Sequence, residues 1–129
     1  MEKNQIAFII TAFNEEHTIE KVVNNCKKFG EVFVIDDCST DSTFSKLKQL
    51  NIFYLKNKKN IGDERSLFRC LYYVYRHYEH NYFITIDADD QFDISTINLA
   101  VNQIGPKKLF ITSVRNKKNR LIEKIIDKL

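Results

Sequence analysis

Short, continuous runs of apolar, β-branched and aromatic residues alternate along this chain with stretches whose apolar positions recur every three or four residues. The runs Ile6–Thr11, Val32–Ile35, Ile52–Leu55, Tyr82–Ile86 and Leu109–Thr112 read as strands. Their continuity, rather than a strict apolar/polar alternation, predicts burial on both faces. Between them lie helical patterns. Ile19, Val22, Val23, Cys26 and Phe29 form one stripe, which predicts a helix from Glu15 to about Phe29. Asn14 is its expected cap, Glu15 and Glu16 stand where the helix dipole favours acids, and Gly30 is its expected terminator. Phe44, Leu47 and Leu50 mark a shorter helix, and further helices are expected over Glu64–Tyr78, Ile94–Ile104 and Asn119–Leu129.

Strands that alternate with helices in this way imply an α/β fold, a mainly parallel twisted sheet with helices on both faces. Such sheets bind ligands beyond the carboxyl ends of their strands. The loops Asn14-Glu15, Asp36-Asp37, Asn60-Ile61-Gly62 and Asp87-Ala88-Asp89 all follow strands, so all are expected along one edge.

A chain of 129 residues is one domain, 1–129, with room for a single core. Three glycines and one proline leave much of the turn chemistry to Asn and Asp. A net charge of +3 gives no reason to expect nucleic acid as a partner. Cys26, Cys38 and Cys70 form neither a disulfide framework nor a CxxC pair, and read as free thiols in a reducing compartment. The first apolar run is too short for a signal peptide or a membrane span, so the expected location is cytoplasmic. No GxGxxG, GxxxxGK[ST] or GxSxG occurs, and His17, His77 and His80 read as surface histidines.

The densest chemistry lies in Asp87-Ala88-Asp89-Asp90-Gln91-Phe92-Asp93. Carboxylates this close repel one another unless a cation or a helix terminus offsets them. Asp87 and Asp89 point the same way in an extended segment, and hard oxygens with an amide oxygen at Gln91 suit Mg²⁺ or Mn²⁺ rather than zinc. The plainer reading is a capped helix, which Asp93 fits, and a bare pair of acids at this spacing is common. In Asp36-Asp37, one carboxylate could accept a hydrogen bond from a ring N–H, which uracil and guanine carry where adenine and cytosine present an acceptor. A turn in which Asp41 or Ser42 caps the next helix explains the same residues equally well. Phe13 could pack on a base and Glu15 could reach a sugar or base edge, or both could serve helix capping and packing. Gly62 allows close backbone approach at the start of the helix that carries Arg65 and Ser66, where anions are favoured.

Taken together and in this order, these motifs resemble family-2 glycosyltransferases of the GT-A fold, from about Ile6 to Arg115. The residues that carry the resemblance are Ile9-Ile10-Thr11-Ala12-Phe13-Asn14-Glu15-Glu16, Val34-Ile35-Asp36-Asp37-Cys38-Ser39-Thr40-Asp41-Ser42-Thr43, Asn60-Ile61-Gly62, Asp87-Ala88-Asp89-Asp90-Gln91 and Ser113-Val114-Arg115. The resemblance implies a Rossmann-like nucleotide-binding half. It implies a nucleotide-sugar pocket of Thr11, Ala12, Phe13, Glu15, Asp37, Gly62, Ser66, Asp87, Ala88 and Arg115, with Asp87, Asp89 and Gln91 as ligands for Mg²⁺ or Mn²⁺. The pattern Asp-Ala-Asp-x-Gln is most similar to polyprenyl-phosphate sugar transferases of the dolichyl-phosphate mannose synthase type. The implied reaction is inverting transfer from a UDP- or GDP-sugar to an acceptor, with a membrane polyprenyl phosphate as one candidate. Family catalytic domains continue past the position of Arg115 with acceptor-binding and catalytic residues. The alternative reading is therefore a truncated or degenerate transferase that binds nucleotide sugar without transferring it. A receiver-like signalling domain is a second rival, but it would want its acidic pair after the first strand, where this chain has Thr11-Ala12-Phe13-Asn14.

Leu121, Ile122, Ile125, Ile126 and Leu129 share one face of the last expected helix, with Arg120, Lys124 and Lys128 lying away from it. Packing on the sheet explains the stripe. A peripheral contact of Asn119–Leu129 with the cytoplasmic face of a membrane is the functional alternative.

Overall fold

In the computed structural model, the described residues are 5–91, 94–102, 110–112 and 122–124. The element order is β1 (Ile6–Ala12), α1 (Ile19–Lys27), β2 (Glu31–Asp36), α2 (Thr43–Gln49), β3 (Phe53–Lys56), α3 (Asp63–His77), β4 (Tyr82–Asp87), α4 (Ile94–Asn102), β5 (Phe110–Thr112) and β6 (Ile122–Lys124). The sheet has six strands in the order β3-β2-β1-β4-β5-β6. Neighbours from β3 through β5 pair parallel, and β6 pairs antiparallel to β5.

β1 is buried along its whole length because its two faces meet different layers. Ile6, Phe8, Ile10 and Ala12 point into a core shared with Ile19, Val22, Val23 and Cys26 of α1, Leu47 of α2 and Ile97 of α4. Ala7 and Ile9 point the other way, into a core with Phe33, Ile35 and Phe83 and with Cys70 and Val74 of α3. An apolar residue is required at every position of such a strand, which is why the run is continuous. Each Ile, Val or Phe so buried contributes about 1.5–3 kcal/mol.

Register sets the positions of the loops. Ala12 pairs with Asp36, Thr11 pairs with both Ile35 and Asp87, and Asp36 pairs with Lys56. The carboxyl ends of β1, β2, β3 and β4 thus finish in nearly one row. The chain runs outward from β1 through β2 to β3, then returns to lay β4 on the other side of β1. Strand order reverses there, and a crevice opens at such a point in an open α/β sheet.

Three expectations are corrected. α1 begins at Ile19, not Glu15. The first N–H groups of the expected helix are captured by the loop after β2: Asn14 N–H donates to Ser39 Oγ at 2.9 Å, Glu15 N–H to Thr43 Oγ1 at 2.8 Å and Glu16 N–H to Asp41 Oδ2 at 3.3 Å. Asn14 is held at φ 52°, outside helical space. Gly30 does not end α1 through a left-handed turn. It is needed because a Cβ there would lie 2.6 Å from the Ile6 carbonyl oxygen and 3.0 Å from Phe8. Finally, Ile122–Lys124 is a strand paired with β5 where a helix over Asn119–Leu129 was expected; the rest of that stretch, and with it the expected membrane contact, lies outside the described residues. Among the described residues, no helix is long and apolar enough to cross a membrane.

Candidate functional site

A cleft of about 210 Å³ opens at the switch point. Its walls are Thr11, Ala12, Phe13 and Glu15 from the end of β1, Asp37 from β2, Asn60, Gly62 and Asp63 from the start of α3, and Asp87, Ala88 and Asp89 from β4. The expected pocket residues Thr11, Ala12, Phe13, Glu15, Asp37, Gly62, Asp87 and Ala88 are therefore brought together, with Asp89 beside them.

Asp37 is the most constrained of these side chains. It is 3% exposed. Its Oδ1 accepts hydrogen bonds from Asn57 Nδ2 and from Ile61 N–H, both at 2.8 Å, and its Oδ2 accepts one from Gly62 N–H at 3.0 Å. Burial alone would push this carboxyl up. The donors Ile61, Asn57, Ser66 and Gly62 outweigh that effect and hold it below the usual carboxylate range. Gly62 can present its N–H because it sits at φ 92° and ψ 158°, a conformation open in practice only to glycine.

The loop after β4 is fixed from the other side. Thr18 Oγ1 donates to the Ala88 carbonyl at 2.6 Å, and Lys21 of α1 pairs with Asp90 at 2.7 Å. Asp90 is thereby committed to α1, while Asp87 and Asp89 line the cleft. Asp89 Oδ1 also accepts the Gln91 N–H at 3.2 Å. Across the cleft Thr11 Oγ1 donates to Asp63 Oδ1, tying the end of β1 to the first turn of α3. Phe13 is 44% exposed, an open aromatic face at the rim.

Two expected site residues, Ser66 and Gln91, are placed differently, and a third is not described. Ser66 is fully buried beneath the cleft, where its Oγ accepts from Asn57 Nδ2 at 2.8 Å. It lies on the inward stripe of α3 with Cys70 and Val74, so it supports Asp37 rather than touching a ligand. Gln91 is exposed and does not line the cleft. Arg115 lies outside the described residues. Asp36 is fully buried on the other face, with Oδ2 accepting Ser39 N–H and Oδ1 without a partner among the described residues. His80 is not a surface histidine. Its side chain is 2% exposed, packs edge-on against Phe33 and meets Glu31 at 2.8 Å through Nε2.

Five carboxylates, from Glu15, Asp37, Asp63, Asp87 and Asp89, line the cleft, and among the described residues neither Lys nor Arg does. Hard oxygen donors of this kind suit Mg²⁺ or Mn²⁺. Among the described residues no three His, Cys, Asp or Glu side chains converge tightly enough to hold a metal by themselves. Asp87 and Asp89 are the two donors that fit, with the rest of the coordination left to water and ligand oxygens, as is usual for Mg²⁺.

An open parallel sheet with an acidic cleft at its switch point is the layout of an α/β domain of the GT-A type. The chain belongs to glycosyl transferase family 2, whose sequence pattern matches residues 7–124. An uncharacterised protein of Methanocaldococcus jannaschii is 33% identical over 90 residues, which cover 64% of this chain and 39% of that one. S. aureus TarS superposes with a TM-score of 0.60 at 25% identity, over 76% of this chain and 31% of TarS, and its structure is also known in complex with UDP. Glucosyl-3-phosphoglycerate synthase of M. tuberculosis shares the fold, with a TM-score of 0.55 at 23% identity over 67% of this chain and 35% of that one. That synthase has also been solved with Mn²⁺, UDP and glucosyl-3-phosphoglycerate. The chain spans between about a third and two fifths of the length of these relatives.

Proposed function

We propose that this chain is the donor-binding part of a glycosyltransferase, which holds a nucleoside-diphosphate sugar and a divalent cation in the cleft between β1 and β4. One observation carries the reading: among the described residues, five carboxylates and no basic side chain line the cleft. A diphosphate cannot sit there without a cation between it and the protein. The complexes of TarS with UDP and of the mycobacterial synthase with Mn²⁺ and UDP support the same pairing of ligands.

The residues divide the work by position. Phe13 offers its exposed ring to the base. Asp37, whose Oδ2 accepts Gly62 N–H at the cleft, would accept a ring N–H, which favours uracil or guanine over adenine or cytosine. Gly62 and Asn60 let backbone and amide approach the nucleoside from the start of α3. Asp87 and Asp89 would hold Mg²⁺ or Mn²⁺, and the bound ion supplies charge neutralisation for the departing diphosphate. The acceptor class rests on the Asp87-Ala88-Asp89-Asp90-Gln91 pattern alone, which points to a phosphate on a polyprenyl chain. Such an acceptor oxygen is already anionic, so no side chain need remove a proton from it.

Thermal shift with UDP, GDP, ADP and CDP, each with Mn²⁺ or with EDTA, tests the reading. A ligand bound only by the native state raises its stability. The expected result is a shift with UDP or GDP in Mn²⁺ that disappears in EDTA and in Asp89→Ala. Preferential binding of ADP, or equal shifts in EDTA, would contradict it. Transfer assayed with the corresponding UDP- or GDP-sugars then separates an active enzyme from a chain that only binds.

A further inference from the structure

We propose that Asn57 and Arg69, neither of which lines the cleft, are positioning residues that set its selectivity among bases by fixing the orientation of the Asp37 carboxylate. The proposal rests on the assignment of Asp37 to base recognition and adds what holds it in place.

Asn57 follows β3 and is 2% exposed, so each of its amide groups must find a protein partner. Its two Nδ2 hydrogens are both used, one on Asp37 Oδ1 and one on Ser66 Oγ, each at 2.8 Å. Its Oδ1 accepts from the Arg69 guanidinium. An asparagine amide can in principle sit either way round. Here both ends oppose the reversed state. Reversal would set the amide oxygen against the Asp37 carboxylate, and the amide N–H groups against a guanidinium that cannot accept. Arg69 therefore acts through Asn57: it selects the orientation in which Nδ2 grips Oδ1 of Asp37.

The consequence falls on Oδ2. With Oδ1 held by Asn57 and by Ile61 N–H, the carboxylate cannot rotate, and Oδ2 faces Gly62 N–H at 3.0 Å. An incoming donor therefore meets Oδ2 in a fixed direction. A carboxylate free to rotate would accept exocyclic amino groups from several directions, and discrimination would weaken. Arg69 reaches this site from the exposed side of α3, so it can be changed without opening the core.

The experiment measures Kd for UDP, GDP and ADP in Mn²⁺ by calorimetry for the unmodified chain, Arg69→Met, Arg69→Lys and Asn57→Asp. In Arg69→Met the preference for the better of UDP and GDP over ADP should fall at least severalfold while the dependence on Mn²⁺ persists. Arg69→Lys, which keeps a donor near Asn57 Oδ1, should restore much of it. Asn57→Asp places a second carboxylate against Asp37, so its preference should recover as pH falls, a response that a loss of packing alone would not give. An unchanged preference in Arg69→Met, with no pH response in Asn57→Asp, would overturn the positioning role while leaving the functional reading intact. If the unmodified chain binds no nucleoside diphosphate, the functional reading fails, and the selectivity claim falls with it.

Discussion

Asp37 accepts hydrogen bonds from Asn57, Ile61 and Gly62, and that makes it a source of stability as well as the proposed recognition group. Its folded carboxyl lies below the usual range. A group with a depressed folded pKa stabilises the protein above its unfolded value, about 3.9 for Asp, and loses that contribution as pH falls through the folded value. Asp41, lowered against its own burial by Thr43 and by the Glu16 N–H, acts in the same direction. Asp37→Asn should therefore destabilise the chain by about 1–3 kcal/mol near neutral pH, because an amide N–H would then face a backbone donor. The difference should shrink as pH falls below the ordinary Asp value, about 3.9, toward the lower folded value of Asp37. Urea midpoints for both chains near neutral pH and below about pH 3.9 check this, and an equal difference at both would show that the carboxylate charge contributes nothing. Single residues were legible in the sequence where chemistry marked them. The acids after β2 and β4 stand out, as does the glycine before α3. Asn57 does not, because nothing distinguishes it from other loop asparagines until burial shows that its amide must be satisfied. Asp63 was hidden in another way, since an acid in a first helical turn already has a sufficient explanation in the dipole. Ser66 was readable in retrospect: its spacing to Cys70 and Val74 puts it on the stripe that faces the sheet.

At the scale of elements, the strands of the parallel sheet were readable because burial on both faces writes itself into every position. The start of α1 was not, since Asn14-Glu15-Glu16 is a good local helix start. The competing donors and acceptors on Ser39, Asp41 and Thr43 come from a loop some 25 residues away. β6 failed for a related reason. Its helical spacing is local, whereas a three-residue antiparallel strand exists only through its pairing with β5. Gly30 shows how an element boundary can be set by a neighbour rather than by its own turn. It lies between α1 and β2, and its missing side chain is what lets the chain pass the start of β1. Gly30→Ala should cost about 1–3 kcal/mol, the range for forcing an extra carbon into a packed site, because the nearest atom is a backbone oxygen that cannot swing away. Gly62→Ala meets no atom within 4 Å, so its effect should come from the backbone conformation at φ 92°. Strain of that kind is about 1–3 kcal/mol. The two variants should separate in a binding assay. Gly30→Ala, far from the cleft, should lower the unfolding midpoint with little change in nucleotide affinity, while Gly62→Ala should lower both. Similar affinity losses in the two would mean that Gly62 has no special relation to the ligand.

For the whole molecule, the sheet acts as an instrument for bringing charge together. Strands separated widely in sequence end in one row, and the carboxylates that follow them meet in one cleft. Like charges about 4 Å apart repel by roughly 1 kcal/mol in water and roughly 4 kcal/mol at a partly buried surface. The fold must carry this strain whenever the cleft is empty. A diphosphate approaching alone adds to it. Under the proposed function a divalent ion approaching alone would relieve it through Asp87 and Asp89, but among the described residues no three His, Cys, Asp or Glu side chains form a group that could hold it unaided. In the proposed function each ligand would therefore supply what the other lacks: the ion would neutralise the cleft for the diphosphate, and diphosphate oxygens would fill the coordination sites that the protein leaves open. Such coupling must be reciprocal, because the binding free energies form a closed cycle. Mn²⁺ should tighten UDP by at least about tenfold, equivalent to roughly 1.4 kcal/mol, and UDP should tighten Mn²⁺ by the same factor. Asp89→Ala should reduce both factors toward one while the chain stays folded, since Asp89 supports no packing in either core. Calorimetric titrations of each ligand in the presence and absence of the other give the two factors separately. UDP affinity that is indifferent to Mn²⁺ would mean that the acidic cleft is not where the diphosphate binds.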